Sequence, residues 1–177
     1  MLEMTDLLQI ESQIVWDRLT APDHRTGQRL ADDPTVYVQM AKLVAQFYVH
    51  RRRHFEPEIG EAWHPENWRE TLRERYSGLS GAFDFEAGWC DIMSAGAAIV
   101  ADAGETLKIS YAKEKYGSMS LFSSSYFDGE LDLVDSCMEA LSVHICECCG
   151  APGINRAVRG WWRTECDHHH AIREAGR

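Results

Sequence analysis

A cysteine-rich segment near the C-terminus reads Cys146-Glu147-Cys148-Cys149-Gly150-Ala151-Pro152-Gly153. Sixteen residues separate its Cys-x-x-Cys pair from a Cys-x-x-His pair in the segment Trp161-Trp162-Arg163-Thr164-Glu165-Cys166-Asp167-His168-His169. Zn²⁺ prefers four thiolate or imidazole ligands in a tetrahedron, and a two-residue gap lets both side chains of a pair reach one ion. The two pairs therefore predict a zinc site with the ligands Cys146, Cys149, Cys166 and His169.

The choice of ligands has alternatives. Cys148 competes with Cys149, and His168 and His170 flank His169. The competing interpretation of the cysteines, as buried thiols or part of a disulfide set, does not account for two spaced pairs with a glycine behind one of them. Four protein ligands leave no open coordination position, so the zinc is predicted to be structural. A catalytic zinc would require one of the four ligands to be absent.

Composition and charge limit the class of protein. The chain has 177 residues, of which 45% are hydrophobic, and this suits one domain or a domain with a small appendage. A formal net charge of −10 argues against a main surface devoted to nucleic acid or anionic lipid. The charge is uneven, because residues 146–177 carry +1 and residues 1–145 carry −11.

The sequence offers no targeting or membrane signal. No segment approaches the roughly 18 to 20 apolar residues of a membrane span, and the N-terminus lacks the basic, apolar and small-residue order of a signal peptide. Four of the six cysteines lie in or beside the zinc motif, so disulfides are not implied. We therefore expect a cytoplasmic protein without a membrane partner.

Apolar residues at three- and four-residue steps predict helices over 5–19, from Pro34 onward, over 66–76, from Gly88-Trp89 onward, and over 128–145. The first helix is predicted to be amphipathic, with Leu7, Ile10 and Ile14 on one face. Alternating apolar and polar residues from Leu107 and again over 118–123 predict a β-hairpin. Gly96, inside a helix, suggests close approach by another element.

These elements define the predicted fold. It is α+β and mainly helical, with a small antiparallel hairpin or sheet and a C-terminal zinc finger of treble-clef type. An acidic core over residues 1–145 is followed by a zinc-binding lobe over residues 146–177, hereafter the C-terminal lobe.

A basic run, His50-Arg51-Arg52-Arg53-His54, ends the second helix. Cations are favoured at a helix C-terminus by the helix dipole, so a solvated helix end explains the run. A partner-binding patch is an alternative. A second metal site is another, because the two histidines are four residues apart.

Four motifs carry a family resemblance: Gly88-Trp89, Lys113-Glu114-Lys115-Tyr116-Gly117, the segment from Cys146 to Gly153, and the segment from Trp162 to His169. In this order they resemble a family of small, largely uncharacterised bacterial and phage proteins that bear a zinc finger. The resemblance covers about half of the chain. It implies a mobile-element setting, and it places Cys148 at a variable position, which favours Cys149 as the ligand.

The sequence favours a non-enzymatic, zinc-stabilised protein-binding module. The acidic bulk, the closed zinc site and six tryptophans, a residue type enriched in interface anchors, support this hypothesis. In the phage setting that the resemblance implies, such a protein could inhibit a host defence complex by presenting acidic surface to a nucleic-acid-binding groove, an anti-CRISPR-like role. The expected partner is then a protein.

Nucleic-acid binding by the C-terminal lobe is the alternative. Arginines could contact phosphates while Trp161 or Trp162 stacks on a base. The candidate arginines are Arg156, Arg159, Arg163 and Arg173.

Catalysis is a second alternative. The chain has no glycine-rich phosphate loop, no Gly-x-Ser-x-Gly and no His-Glu-x-x-His, so an enzyme would need a site assembled from distant residues.

Overall fold

Six helices and two small sheets make up the computed structural model, which describes residues 3–23, 25–55, 65–123 and 132–176. The predicted α+β class is confirmed. The helices are α1 Met4–Thr20, α2 Pro34–Phe55, α3 Trp68–Arg75, α4 Cys90–Asp102, α5 Asp132–Ser142 and α6 Asp167–Ala175. The strands are β1 Ala82–Asp84, β2 Ile109–Lys115, β3 Ser118–Ser123, β4 Ile154–Val158 and β5 Trp161–Glu165.

Helix α2 is the central helix of the core and packs against α1, α4 and α5. It begins as predicted, with proline at its first position and the Asp33 carboxylate accepting hydrogen bonds from the backbone N–H groups of Thr35 and Val36. Leu43 and Phe47 of α2 are fully buried. No helix in the described part of the chain is long and apolar enough to cross a membrane.

The predicted buried face of α1 is wrong. Leu7, Ile10 and Ile14 are 40%, 47% and 38% exposed, whereas Leu8 and Val15 are buried. Apolar residues lie on more than one side of this helix, so their spacing alone does not identify the face that meets α2.

The three-stranded sheet has the order β1-β2-β3. Strands β2 and β3 form the predicted antiparallel hairpin, and their two-residue turn, Tyr116-Gly117, has positive φ angles of 54° and 75°. This geometry is typical of the tight turns that match strand twist. Strand β1 pairs with β2 in parallel, so the sheet is mixed rather than purely antiparallel.

Helix α5 ends at Ser142, three residues before the predicted end, and residues 128–131 of that prediction lie outside the described residues. Beyond it, the backbone N–H groups of His144 and Ile145 bond to carbonyls three residues earlier, so the chain tightens into a turn. The close approach predicted at Gly96 is confirmed, since a Cβ atom there would lie 2.2 Å from Met138 Sδ on α5.

Candidate metal centre

The four predicted ligands come from two local structures. Cys146 and Cys149 lie on a tight turn in which the backbone N–H of Gly150 donates to the Cys146 carbonyl at 2.8 Å, and Gly150 has a φ of +75°. The β4–β5 hairpin follows this turn. Cys166 then caps α6, and His169 lies in its first turn. A cysteine turn, a hairpin and a helix that carries the last two ligands follow one another, which is the arrangement of a treble-clef-like finger.

These four side chains lie together and could hold a metal ion. One ligand atom from each of Cys146, Cys149, Cys166 and His169 lies within 4.8 Å of the others. His169 Nδ1 is 3.6 Å from Cys146 Sγ and 3.3 Å from Cys166 Sγ, and the sulfur atoms of Cys149 and Cys166 are 3.9 Å apart.

The separations fit a tetrahedral ion. Bonds of about 2.3 Å to sulfur and about 2.0 Å to nitrogen place two sulfurs about 3.8 Å apart and a sulfur and a nitrogen about 3.5 Å apart. The three distances above lie within about 0.3 Å of these values. The donor set, three thiols and one imidazole, also suits zinc.

The alternative ligands lie outside this group. Cys148 is not among the four residues whose ligand atoms converge. His168 is exposed, and His170 points its Nδ1 atom to within 3.5 Å of Glu165 Oε2. The geometry therefore selects Cys149 and His169 among the neighbouring cysteines and histidines.

Hydrogen bonds within the cysteine turn tune its protonation. Thiols of Cys148 and Cys149 beside Cys146 lower the pKa of the Cys146 thiol well below its ordinary value. The same contacts, together with burial, raise the pKa of Cys148 and of Cys149. These contacts therefore favour one thiolate within the cysteine turn, and the thiolate is the form that binds a metal.

The cysteine turn is bonded directly to the helical core. The Gly88 N–H donates to the Glu147 carbonyl at 2.7 Å, and the Trp89 indole N–H donates to the Ile145 carbonyl at 2.8 Å. Arg51 Nη1 donates to the Cys149 carbonyl at 2.9 Å. The Glu147 side chain is also buried here, which raises its pKa to about 7.

Sequence reasoning missed the role of Arg51. The solvated helix end predicted for the basic run is wrong at His50 and Arg51, which are only 4% and 5% exposed. Arg51 bridges the Cys149 carbonyl and the Glu11 carboxylate of α1, 3.0 Å away. The only sequence signal for this role of Arg51 was the run of cations at the end of α2. Its partner Glu11 lies 40 residues away in the chain, so the pairing could not be predicted from spacing.

The residues predicted to bind a partner divide into two groups. Arg156 pairs with Asp167 and donates to the Glu165 carbonyl, and Arg163 is half-buried. In contrast, Trp161 is 75% exposed, Trp162 is 46% exposed and Arg159 is exposed in the β4–β5 turn. The exposed group therefore lies at the end of the hairpin.

No model of a protein family, no curated protein and no solved structure matches the chain. The assignment of the metal centre therefore rests on its geometry. Fold and site together define a mainly helical α+β protein with a treble-clef-like C-terminal lobe that could hold a metal ion. The family resemblance and the division at residue 145 stay predictions.

Proposed function

We propose that this protein is a zinc-stabilised protein-binding module whose C-terminal lobe presents two exposed tryptophans to a partner protein. The observation that carries the proposal is the 75% exposure of Trp161 on a hairpin whose base adjoins the metal centre.

Zinc is the ion that the ligand set supports best. Three cysteines and one histidine at tetrahedral spacing are typical of structural zinc sites, in which all four positions are filled by protein. The ion would join the turn at Cys146 and Cys149 to the start of α6, and so fix both ends of the β4–β5 hairpin. No catalytic step is assigned to a centre with four protein ligands.

The hairpin suits a binding role because its exposed aromatic residues lie on a strand paired along its length with its neighbour. Trp161 pairs with Val158 across the ladder, beside the turn Arg159-Gly160, whose φ angles are 52° and 86°. Tryptophan supplies a large contact area at low conformational cost and is enriched among the residues that dominate interface affinity. A solvent-exposed tryptophan on a paired hairpin is therefore a candidate anchor.

The structure weakens the case for nucleic acid as the partner. Arg173 donates to the Glu165 carboxylate at 2.6 Å and 2.9 Å, and Arg156 is paired with Asp167. Among the predicted arginines in the described residues, Arg159 is the exposed one, and one cation gives little phosphate affinity on a protein with a net charge of −10. The anti-CRISPR-like role stays a prediction drawn from the family resemblance.

Capture from a bacterial lysate tests the proposal. Full-length protein is immobilised and compared with the double variant Trp161→Ala/Trp162→Ala and with Ile172→Ala, a matched control that removes a 55% exposed apolar side chain from the same lobe. We expect a nuclease-resistant protein partner that the wild type and Ile172→Ala retain. The double variant should bind the purified partner at least about 30-fold more weakly, the effect of losing an interface anchor.

Two outcomes would contradict this function. Equal binding by the double variant and the wild type, with equal zinc content, would remove the tryptophans from the interface. Capture of nucleic acid alone, lost on nuclease treatment and reduced by Arg159→Ala, would favour the alternative.

A further inference from the structure

A second group of metal-ligating side chains lies between the end of α2 and the start of α4. His54 is in the last turn of α2, and Cys90 and Asp91 open α4. One nitrogen, one sulfur and one oxygen from these three residues lie within 4.8 Å of one another. His54 Nε2 is 3.3 Å from Asp91 Oδ1, close to the roughly 3.3 Å expected between nitrogen and oxygen ligands of one tetrahedral ion.

Asp91 is a buried carboxylate in this group whose Oδ1 atom has no hydrogen bond in the described part of the chain. The residue is only 2% exposed, and the ionic contact of its Oδ1 atom is with His54 Nε2 at 3.3 Å. A buried carboxylate oxygen without a hydrogen bond is costly, and native proteins rarely leave one in that condition. A bound cation would be coordinated by this oxygen and by the adjacent His54 nitrogen together.

The same three residues line a pocket of about 340 Å³, together with Trp68, Gly88 and Cys148 among others. Three protein ligands beside an accessible cavity are the arrangement by which zinc sites keep a fourth position for water or a substrate atom. This group therefore differs in kind from the first centre, where four protein side chains converge.

The charges around the pocket suit a divalent ion with an anionic fourth ligand. A Cys90 thiolate and an Asp91 carboxylate would balance a dication. Burial raises the pKa of Asp91 to about 7 against the opposing effect of the nearby Arg51 and Arg75 guanidinium groups, so a bound cation would offset part of the cost of burying this carboxylate. Mixed sulfur, nitrogen and oxygen donors are typical of late first-row transition metals and zinc.

We propose that His54, Cys90 and Asp91 bind a second divalent transition-metal ion, of the Zn²⁺ or Co²⁺ class, whose fourth position faces the pocket and accepts water or a small anion.

A cobalt titration tests the site. Full-length protein is first loaded with one equivalent of Zn²⁺, and Co²⁺ is then added anaerobically while retained zinc is measured by elemental analysis. We expect one further Co²⁺ per chain, with four-coordinate d–d bands and a thiolate-to-cobalt charge-transfer band, and no loss of zinc. Inorganic phosphate or azide should then change the d–d bands, because the fourth ligand is exchangeable.

Matched variants assign the ligands. His54→Ala should weaken cobalt binding about 100-fold or more. Even the loss of a residue that only hydrogen-bonds to a metal ligand lowers metal affinity by up to about 100-fold. Cys90→Ser should abolish the charge-transfer band. His50→Ala is the control for His54, because it removes a buried histidine one turn earlier on α2. It should leave the titration unchanged.

The proposal fails if the zinc-loaded wild type takes up no further cobalt, since His54 and Asp91 would then form only a buried ion pair. It fails equally if Cys90→Ser retains the charge-transfer band. A cobalt spectrum that ignores phosphate and azide would contradict the open fourth position. The wild-type titration decides the question even if a variant does not fold.

Discussion

Gly88→Ala should detach the cysteine turn from the helical core. A Cβ atom at residue 88 would lie 2.3 Å from the Cys146 carbonyl oxygen, 2.5 Å from the Glu147 carbonyl oxygen and 2.5 Å from the Gly150 nitrogen. All three are backbone atoms, so no side-chain rotation can relieve the contacts. The turn must move, and the 2.7 Å hydrogen bond from the Gly88 N–H to the Glu147 carbonyl is lost with it.

The expected cost has two parts. Overpacking of this kind costs about 1 to 3 kcal/mol, and a lost backbone hydrogen bond costs about 1 kcal/mol. We therefore expect Gly88→Ala to lower the free energy of unfolding by about 2 to 4 kcal/mol. Zinc content should stay at the wild-type level, because all four proposed ligands lie in residues 146–169 and the clash lies between that segment and α4.

Urea denaturation in excess zinc, followed by far-UV circular dichroism, measures the effect. Gly176→Ala is the matched control, because a Cβ atom there would lie 3.5 Å from the Ile172 carbonyl, an ordinary contact. It should change stability by less than about 0.5 kcal/mol. If Gly88→Ala is as stable as the control, the close packing of α4 on the cysteine turn is refuted.

Two further predictions concern buried polar groups. Burial and nearby Arg53 lower the pKa of His50 to about 4, so on acidification the unfolded chain protonates this ring first, from its ordinary pKa of 6.5, and stability falls. Between pH 7.5 and 5 the wild type should lose about 2 kcal/mol more than His50→Leu in urea denaturation, and equal losses would contradict the shift. Ser142 Oγ accepts the buried Met119 N–H at 2.8 Å, so Ser142→Ala should cost about 1 to 3 kcal/mol. Retained stability together with unchanged amide exchange at Met119 would show that this bond contributes nothing.

Local chemistry explains what could be predicted from the sequence. The ligand pairs, the Pro34 helix start and the β2–β3 hairpin depend on residues close together in the chain, so spacing and capping patterns identify them. The convergence of Cys146, Cys149, Cys166 and His169 followed from the preference of one ion for four such ligands.

The wrong or missing predictions depend on contacts between distant segments. The buried face of α1 is decided by its packing on α2, and the parallel pairing of β1 with β2 joins strands that no hairpin connects. Arg51 is buried because Glu11 and the Cys149 carbonyl both meet it, and neither partner is visible from the basic run itself. The group at His54, Cys90 and Asp91 likewise requires the end of α2 to meet the start of α4.

The measurement that tests the central claim most directly is zinc affinity by competition with a chromophoric chelator, in the Cys90→Ala background so that the second site contributes nothing. Cys148→Ser and Cys149→Ser replace neighbouring cysteines, yet only Cys149 belongs to the converging group. We predict one tightly bound zinc per chain in the parent and in Cys148→Ser, and binding at least about 100-fold weaker in Cys149→Ser. Undiminished zinc binding by Cys149→Ser, or its loss in Cys148→Ser, would contradict the proposed centre.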